Sequence, residues 1–416
     1  MFPHITLLIM QDNWQGRTNI KVGKNVNRRT VLKRIGVAGS AGGLEALAGC
    51  SAIQRNQGDT ETSAPQTQGD GESNTSQQGT TQGGADVGTP EEVPDYQLVE
   101  LVPPPTDLDF NEEPPEREIT MVTHDASTSF FDPTIAGLHD AANQLGWSAN
   151  FTGPSGGFDV QEQVSILESA VTSGRDAIAT TIADPQAYDS VINRALDNDI
   201  PIVTYNTNAL NGEQMREKYG RSFAYIGQNQ VGAGYVSGLS MIEKLPDDAS
   251  LVTPALSDPG HSALSARAQG MEMAVRQTSN IELTDRLNYT GDSNEGVTRV
   301  QNHLTANPDL DGIMGADAFS WFIGEALANQ DMGGEVIGGG FDLVADTLNQ
   351  ISDGTMDYTI GQDPYSQGYV PTKQIFAYLD RGIPPKNYET GAEVIDSENI
   401  EFAMERSQAW GQLTNN

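Results

Sequence analysis

The chain has one cysteine, Cys50, among 416 residues. An internal disulfide and a multi-cysteine metal site are therefore both excluded. Positive charge is scarce as well: 23 Lys and Arg face 57 Asp and Glu, for a formal net charge of −34. Beyond Lys33 the only lysines are Lys218, Lys244, Lys373 and Lys386. So acidic a surface repels nucleic acid and anionic membranes, and neither is expected as a partner. The five histidines, His4, His124, His139, His261 and His303, are scattered with no pair at metal-ligand helix spacing. Neither a Gly-x-Ser-x-Gly elbow nor a Gly-Lys-Thr phosphate loop occurs. Gly338-Gly339-Gly340 runs into Phe341-Asp342, whose carboxylate would repel a pyrophosphate. No metal, cofactor or catalytic role is expected.

Long apolar runs are missing too. The stretch from Ile35 to Ala48 is rich in small residues and too short for a stable membrane span. It follows Asn27-Arg28-Arg29-Thr30-Val31-Leu32-Lys33, which resembles a twin-arginine export signal, and ends in Leu47-Ala48-Gly49-Cys50, which resembles a lipobox. Residues 1–50 read as a twin-arginine lipoprotein signal with Cys50 as the lipidated residue. Residues 51–117 are Gln, Thr, Gly, Ser, Asp and Pro with almost no apolar periodicity. Such a segment buries too little area to offset its ordering entropy and reads as a disordered low-complexity tether.

From Ile119 the pattern changes. Short apolar runs alternate with segments of helical period: Ile119–Thr123, Pro133–Leu145, Trp147–Phe151, Val160–Ser173, Ala177–Ile182, Pro185–Asn198 and Pro201–Tyr205. The rhythm restarts after Ser222–Gly227 and continues to Pro371–Leu379. This β-α repetition predicts an α/β fold of two doubly wound parallel-sheet lobes. The predicted lobes are 118–226 plus 363–393, and 227–362 plus 394–416, joined by three crossings near Gly227, Gly361-Gln362 and Glu393.

In open parallel sheets, ligands gather beyond the carboxyl ends of the strands. Those positions here hold Thr123, His124 and Asp125; Asn206 and Thr207; Ser257 and Asp258; Asp292; Asp317; Asp342; Gln362 and Asp363. Short carboxylates and amides suit neutral hydroxyls, although any one of them also serves as a helix N-cap. Their presence in both halves favours a cleft for a polyol. Aromatic rings cover the apolar faces of a sugar, with Phe130, Phe131, Trp321 and Tyr365 as candidates. His124 and His261 read as surface or internally satisfied residues, with ligand contact as the alternative. Arg267 flanks an apolar stripe of Leu264, Ala268, Met271 and Val275, near the cleft end of its helix. Its alternatives are a solvated arginine or a structural pair with Asp292 or Asp317.

Several segments together resemble the ribose-type periplasmic sugar-binding proteins, over about Ile119 to Met404. These are Phe130-Phe131-Asp132-Pro133, Ile200 to Asn206, Arg267-Ala268-Gln269-Gly270, Gly339-Gly340-Phe341-Asp342 and Tyr358 to Gln362. The resemblance implies the type I periplasmic-binding fold. It also implies a ligand set of Thr123, Phe130, Phe131, Asn206, Thr207, Arg267, Asp317, Asp342 and Gln362. Asn206-Thr207 stands where that family often has Asp-Arg, and Ala316-Asp317 where it often has Asn-Asp. The missing bidentate arginine argues against ribose itself. The implied function is the lipid-anchored binding protein of an ABC importer, expected as a monomer, taking a small sugar or polyol and delivering it to membrane permease subunits. The alternative is the ligand-binding partner of a membrane sensor or chemoreceptor. The dispersed carboxylates are those expected of a halophile's protein, where high salt screens the charge.

Overall fold

A computed structural model describes residues 115–413, apart from 185, 209–211 and 221–222. The arginine pair, Cys50 and the tether as far as residue 114 lie outside the described residues.

The first half runs β1 (Glu118–Val122), α1 (Asp132–Leu145), β2 (Ser148–Thr152), α2 (Val160–Thr172), β3 (Ala177–Thr180), α3 (Asp189–Asp197), β4 (Ile202–Tyr205), α4 (Gly212–Tyr219) and β5 (Tyr225–Gly227). The second runs α5 (Gln230–Lys244), β6 (Leu251–Leu256), α6 (Ser262–Val275), β7 (Glu282–Leu283), β8 (Leu287–Asn288), α7 (Ser293–Ala306), β9 (Gly312–Gly315), α8 (Trp321–Asn329), β10 (Ile337–Phe341), α9 (Ala345–Asp353) and β11 (Tyr358–Gly361). The chain closes with α10 (Pro364–Arg381), β12 (Tyr388–Glu389), β13 (Glu393–Asp396) and α11 (Ile400–Leu413).

Two sheets result. One has strand order β12-β5-β4-β3-β1-β2 and is wholly parallel. The other has order β13-β11-β10-β9-β6-β7 with β8 also on β6, and only β13 runs antiparallel. Helices cover both faces, so the central strands β3, β4, β9 and β10 are buried throughout, while β2 and β12 are partly or fully exposed edges. The expected α/β fold of two doubly wound lobes is what the chain forms.

Local chemistry sets the helix ends. Asp159 caps α2 by accepting from the amides of Gln161 and Glu162, both at 2.9 Å, and Asn229 caps α5 at Gly232. Gly146 and Gly382 end α1 and α10 with left-handed backbones. The last sheet-covering helix differs from its expected start at Pro371. It begins about two turns earlier, with Pro364 in the first turn behind an Asp363 cap, and carries Pro371 in its interior. The predicted strand over Leu283–Tyr289 breaks into β7 and β8, and β12, β13, α4 and α11 are additional to the predicted elements.

In each lobe one helix pair packs very closely. Between α1 and α10, a Cβ at Gly368 would land on the Thr134 carbonyl; between α5 and α6, a Cβ at Gly234 would land on the carbonyl of Arg267 itself. Only glycine permits either approach. The second contact fixes the backbone from which Arg267 projects.

Candidate ligand-binding cleft

The carboxyl ends of both sheets face one partly open cavity of about 110 Å³. From the first lobe its walls include Phe130, Phe131, Asn206 and Thr207; from the second, Arg267, Asp317 and Asp342; Gln362 lies where the chain crosses. Eight of the nine expected ligand residues thus meet there. The ninth, Thr123, is fully buried behind the wall at the end of β1, its amide bonded to the Thr152 carbonyl at 2.9 Å.

The loop after β1 folds on itself before it presents its rings. Asp125 Oδ1 accepts from the Ser127 amide at 2.8 Å and hydroxyl at 2.6 Å. Thr128 Oγ1 then accepts from the Phe130 amide and starts the short 3-10 turn Ser129–Phe131 that leads into α1. Phe130 and Phe131 meet edge to face with centroids 4.8 Å apart, and both belong to the first lobe's core while lining the cavity. Their packing and site roles coexist.

Asn206 ends β4 with φ of 57°. Its Nδ2 donates to Gln362 Oε1 at 3.2 Å and to Gln367 Oε1 at 3.0 Å, while its Oδ1 accepts from the Thr207 hydroxyl at 2.9 Å. Amides alone therefore tie the crossing strand β11 to the first lobe at this point.

The second lobe braces its charges internally. Asp317 Oδ2 accepts from the amide and hydroxyl of Ser257 at 2.8 and 2.9 Å, and its Oδ1 from the Tyr289 hydroxyl at 2.7 Å and the Phe319 amide at 3.0 Å. Burial raises its pKa, and these bonds oppose the rise. Asp342 takes φ of 71° and accepts from Gln362 Nε2 at 2.5 Å. Burial pushes its pKa up to about 6, against the Arg267 charge and the Gln362 bond. It caps no helix, because α9 begins at Ala345 with Val344 before it.

Arg267 is 3% exposed and stands over the Phe341 ring at 4.4 Å. Its Nε donates to Gln230 Oε1 at 2.7 Å and its Nη1 to the Ala316 carbonyl at 3.0 Å; Nη2 has no hydrogen-bond partner among the described residues. The expected alternatives of a solvated arginine or a direct pair with Asp292 or Asp317 do not apply. Burial works against its charge, which Asp342 supports more than Asp317 does.

Other expectations are corrected. Asp292 and Asp363 point away as N-caps of α7 and α10. Trp321 lies outside the cavity with its ring against Phe322, and Tyr365 stacks on Tyr369 and donates to Asp140 at 2.8 Å. The rings that do join the wall are Phe319, two residues beyond Asp317, and Phe158, after Gly156-Gly157. A lone aromatic in a glycine loop beyond a strand was the available signal for Phe158. His124 and His261, read as surface or internally satisfied residues, both line the cavity as well. Burial holds His124 at a pKa of about 4 and His261 well below the ordinary imidazole range.

A family model described as a periplasmic binding protein domain matches residues 119–383. The chain belongs to the periplasmic binding protein family. Its members are substrate-binding proteins with a transport role, and this one is not an enzyme. Among curated relatives, the xylose/arabinose-binding protein of Sulfolobus acidocaldarius is 28% identical over 326 residues, 76% of this chain and 80% of its own. The D-allose-binding periplasmic protein of Escherichia coli is 24% identical over 60% of this chain and 81% of its own. A solved ABC transporter solute-binding protein from Burkholderia graminis, in complex with D-arabinose, superposes with a TM-score of 0.62 at 26% identity, covering 68% of this periplasmic binding protein and 96% of its own chain.

Proposed function

We propose that this protein is the extracytoplasmic sugar-binding component of an ABC importer, that it closes its lobes around one small neutral sugar or polyol, and that it presents the closed form to permease subunits. The observation that carries this is the convergence of Arg267, Asp317, Asp342, Asn206 and Gln362 with the paired rings Phe130 and Phe131 on one cavity. Buried donors and acceptors that ring a small cavity suit hydroxyls, and aromatic rings suit the C–H face of a sugar. A volume of about 110 Å³ falls below the roughly 300–1,000 Å³ of pockets for drug-sized ligands, which favours a monosaccharide over an oligosaccharide. Two carboxylates beside one guanidinium disfavour phosphorylated and acidic sugars. The sugars for which the relatives are named, xylose, arabinose and D-allose, are neutral monosaccharides of this size.

Calorimetry and thermal unfolding with D-xylose, D-arabinose, D-ribose, D-allose and myo-inositol test the reading. A true ligand at 100 times its Kd adds about 2.7 kcal/mol of stability. If none of these binds or stabilises the folded protein, the sugar reading is lost.

The mature protein is read as a monomer tethered through lipidated Cys50, with residues 51–117 as the flexible connection. The lipobox-like Leu47-Ala48-Gly49-Cys50 behind paired arginines supports this. Cys50→Ser should move the protein from the membrane fraction to the soluble one. A variant that stays membrane-bound removes the lipid anchor from the account.

A further inference from the structure

Three rings from three separate segments meet at the cavity wall. His124 follows β1 and Phe158 follows β2, both in the first lobe; His261 precedes α6 in the second. The two imidazoles lie 5.2 Å apart by centroid, Phe158 lies 5.7 Å from His124 and 5.2 Å from His261, and all three pairs are tilted or edge-on. This contact joins the lobes directly, away from the amide-tied crossings. Parting the lobes separates the rings.

The surroundings hold His124 uncharged. Tyr188 donates to Gln163 Oε1 at 2.5 Å, which orients that amide so that Nε2 donates to Thr181 Oγ1 at 3.0 Å. The Thr181 hydroxyl lies 3.1 Å from His124 Nδ1, and with a neutral ring whose Nδ1 is unprotonated it is the donor. An imidazole that accepts at Nδ1 is the neutral form. His261 is 6% exposed, and apart from its own main chain no group among the described residues pairs with its Nδ1. It stands at the N-cap of α6 without capping it, where a positive ring meets the positive end of the helix.

The charged and titratable groups around the pair are Arg267, Asp125, Asp258, Asp317 and Asp342. None of the carboxylates accepts from either ring. Asp125 is taken by Ser127, Asp258 by the Gly260 amide, Asp317 by Ser257, Tyr289 and Phe319, and Asp342 by Gln362. Arg267 opposes a second positive charge on either imidazole. Among the described residues no three metal-ligating side chains gather, so the pair is not the core of a metal site.

We propose that His124, His261 and Phe158 form a proton-sensitive latch across the cleft, seated while both imidazoles are neutral and released when either takes up a proton. In the open form the two rings gain water and return toward the ordinary histidine pKa of about 6.5. Closing then expels protons. The closed state is fully favoured above that pH and loses ground as pH falls below it, because the open state binds more protons there. Acidification also reduces the net negative charge of the protein and so its self-repulsion, an effect of opposite sign that cannot imitate release.

The proposal rests on the sugar-binding reading, and its test separates the two. With the sugar identified at pH 8, Kd is measured from pH 8 to pH 5 for the wild type, for His124→Phe, for His261→Phe and for the double variant. The wild-type Kd should rise by up to about tenfold per pH unit for each ring below pH 6.5, each single variant should lose one ring's share of that slope, and the double should lose both and keep only the share of Asp342, whose carboxyl is raised to about 6. Phe158→Ala, which carries no titratable group, should speed dissociation about tenfold at pH 8 by unseating the rings. The latch is overturned if the wild-type Kd is flat to pH 5, if the double variant keeps the wild-type slope, or if Phe158→Ala dissociates at the wild-type rate. That last outcome would leave the histidines as ligand contacts only. If no sugar binds at pH 8 the sugar reading fails first. Energy transfer between dyes on the two lobes then reads the latch alone, with pH-dependent separation in the wild type but not in the double variant upholding it, and identical behaviour of the two defeating it.

Discussion

The two lobes build facing walls from different materials. The second lobe contributes charge, and each charged group is held by its own scaffold: Asp317 by four donors, and Arg267 by Gln230, the Ala316 carbonyl and the Phe341 ring. The first lobe contributes rings and neutral amides, and its Asn206 is held by glutamines from the chain crossing. Orientation of a ligand is thus encoded on a pre-organised charged surface, and closure brings over it a mainly apolar cover whose lining carboxylate, Asp125, is already taken by Ser127. Little reorganisation of the charged wall is then needed on binding, which is where affinity is otherwise lost.

The largest test of that asymmetry is Arg267→Ala. It should leave the protein folded and weaken sugar binding by about 2–4 kcal/mol, since buried partners lose a charge-assisted bond. Calorimetry on the variant decides it, and unchanged affinity would make Arg267 a brace for Gln230 and Ala316 only.

Next comes Asp342, whose carboxyl is raised to about 6 by burial. Between its ordinary pKa and that value the folded state binds more protons than the unfolded one. The penalty for burying the carboxylate is therefore felt above pH 6 and relieved as pH falls toward 4. Relative to Asp342→Asn, the wild type should gain up to about 3 kcal/mol of unfolding free energy between pH 7 and pH 4. Parallel denaturant curves for the two proteins would show that the charged wall is not strained if their difference is independent of pH.

The smallest effects compare the two glycine contacts. Gly234→Ala and Gly368→Ala should each cost about 1–3 kcal/mol in stability through forced separation of a helix pair. Only Gly234→Ala should also weaken sugar binding, because the atom it strikes belongs to Arg267. Equal losses of affinity in both variants would mean that the wall is not positioned by α5 and α6.

Periodicity made the alternating strands and helices legible, and a parallel sheet places strand-end residues such as Asn206, Asp317 and Asp342 at one surface with no further information. Arg267 was legible because it lies beside an apolar helix stripe near the end of the helix that faces the cleft. The short elements were not. β12 is two residues on an exposed edge, so no burial pattern marks it, and α4, Gly-Glu-Gln-Met-Arg-Glu-Lys-Tyr, buries only one side of a polar segment. The start of α10 was misread because proline suits a first turn, and both Pro364 and Pro371 qualify; the Asp363 cap decides between them. His124, His261 and Phe158 were hidden for a different reason. They lie 34 and 103 residues apart along the chain; the fold of the first lobe brings His124 and Phe158 together, and only the meeting of the lobes adds His261.

The amide ties at the crossings carry a mechanical consequence. Gln228 Nε2 reaches the carbonyls of Gly361 and Gly391 at 3.3 and 2.8 Å, and Asn206, Gln362 and Gln367 interlock beside it. Every one of these bonds joins uncharged partners, in a molecule with 34 surplus negative charges. Ionic strength changes the interactions of exposed ions steeply but scarcely touches a buried dipole–dipole bond. These two crossings should therefore keep the same stiffness in dilute buffer and in concentrated brine, while the third, where Glu393 pairs with Arg406 at the surface, is the one that salt loosens.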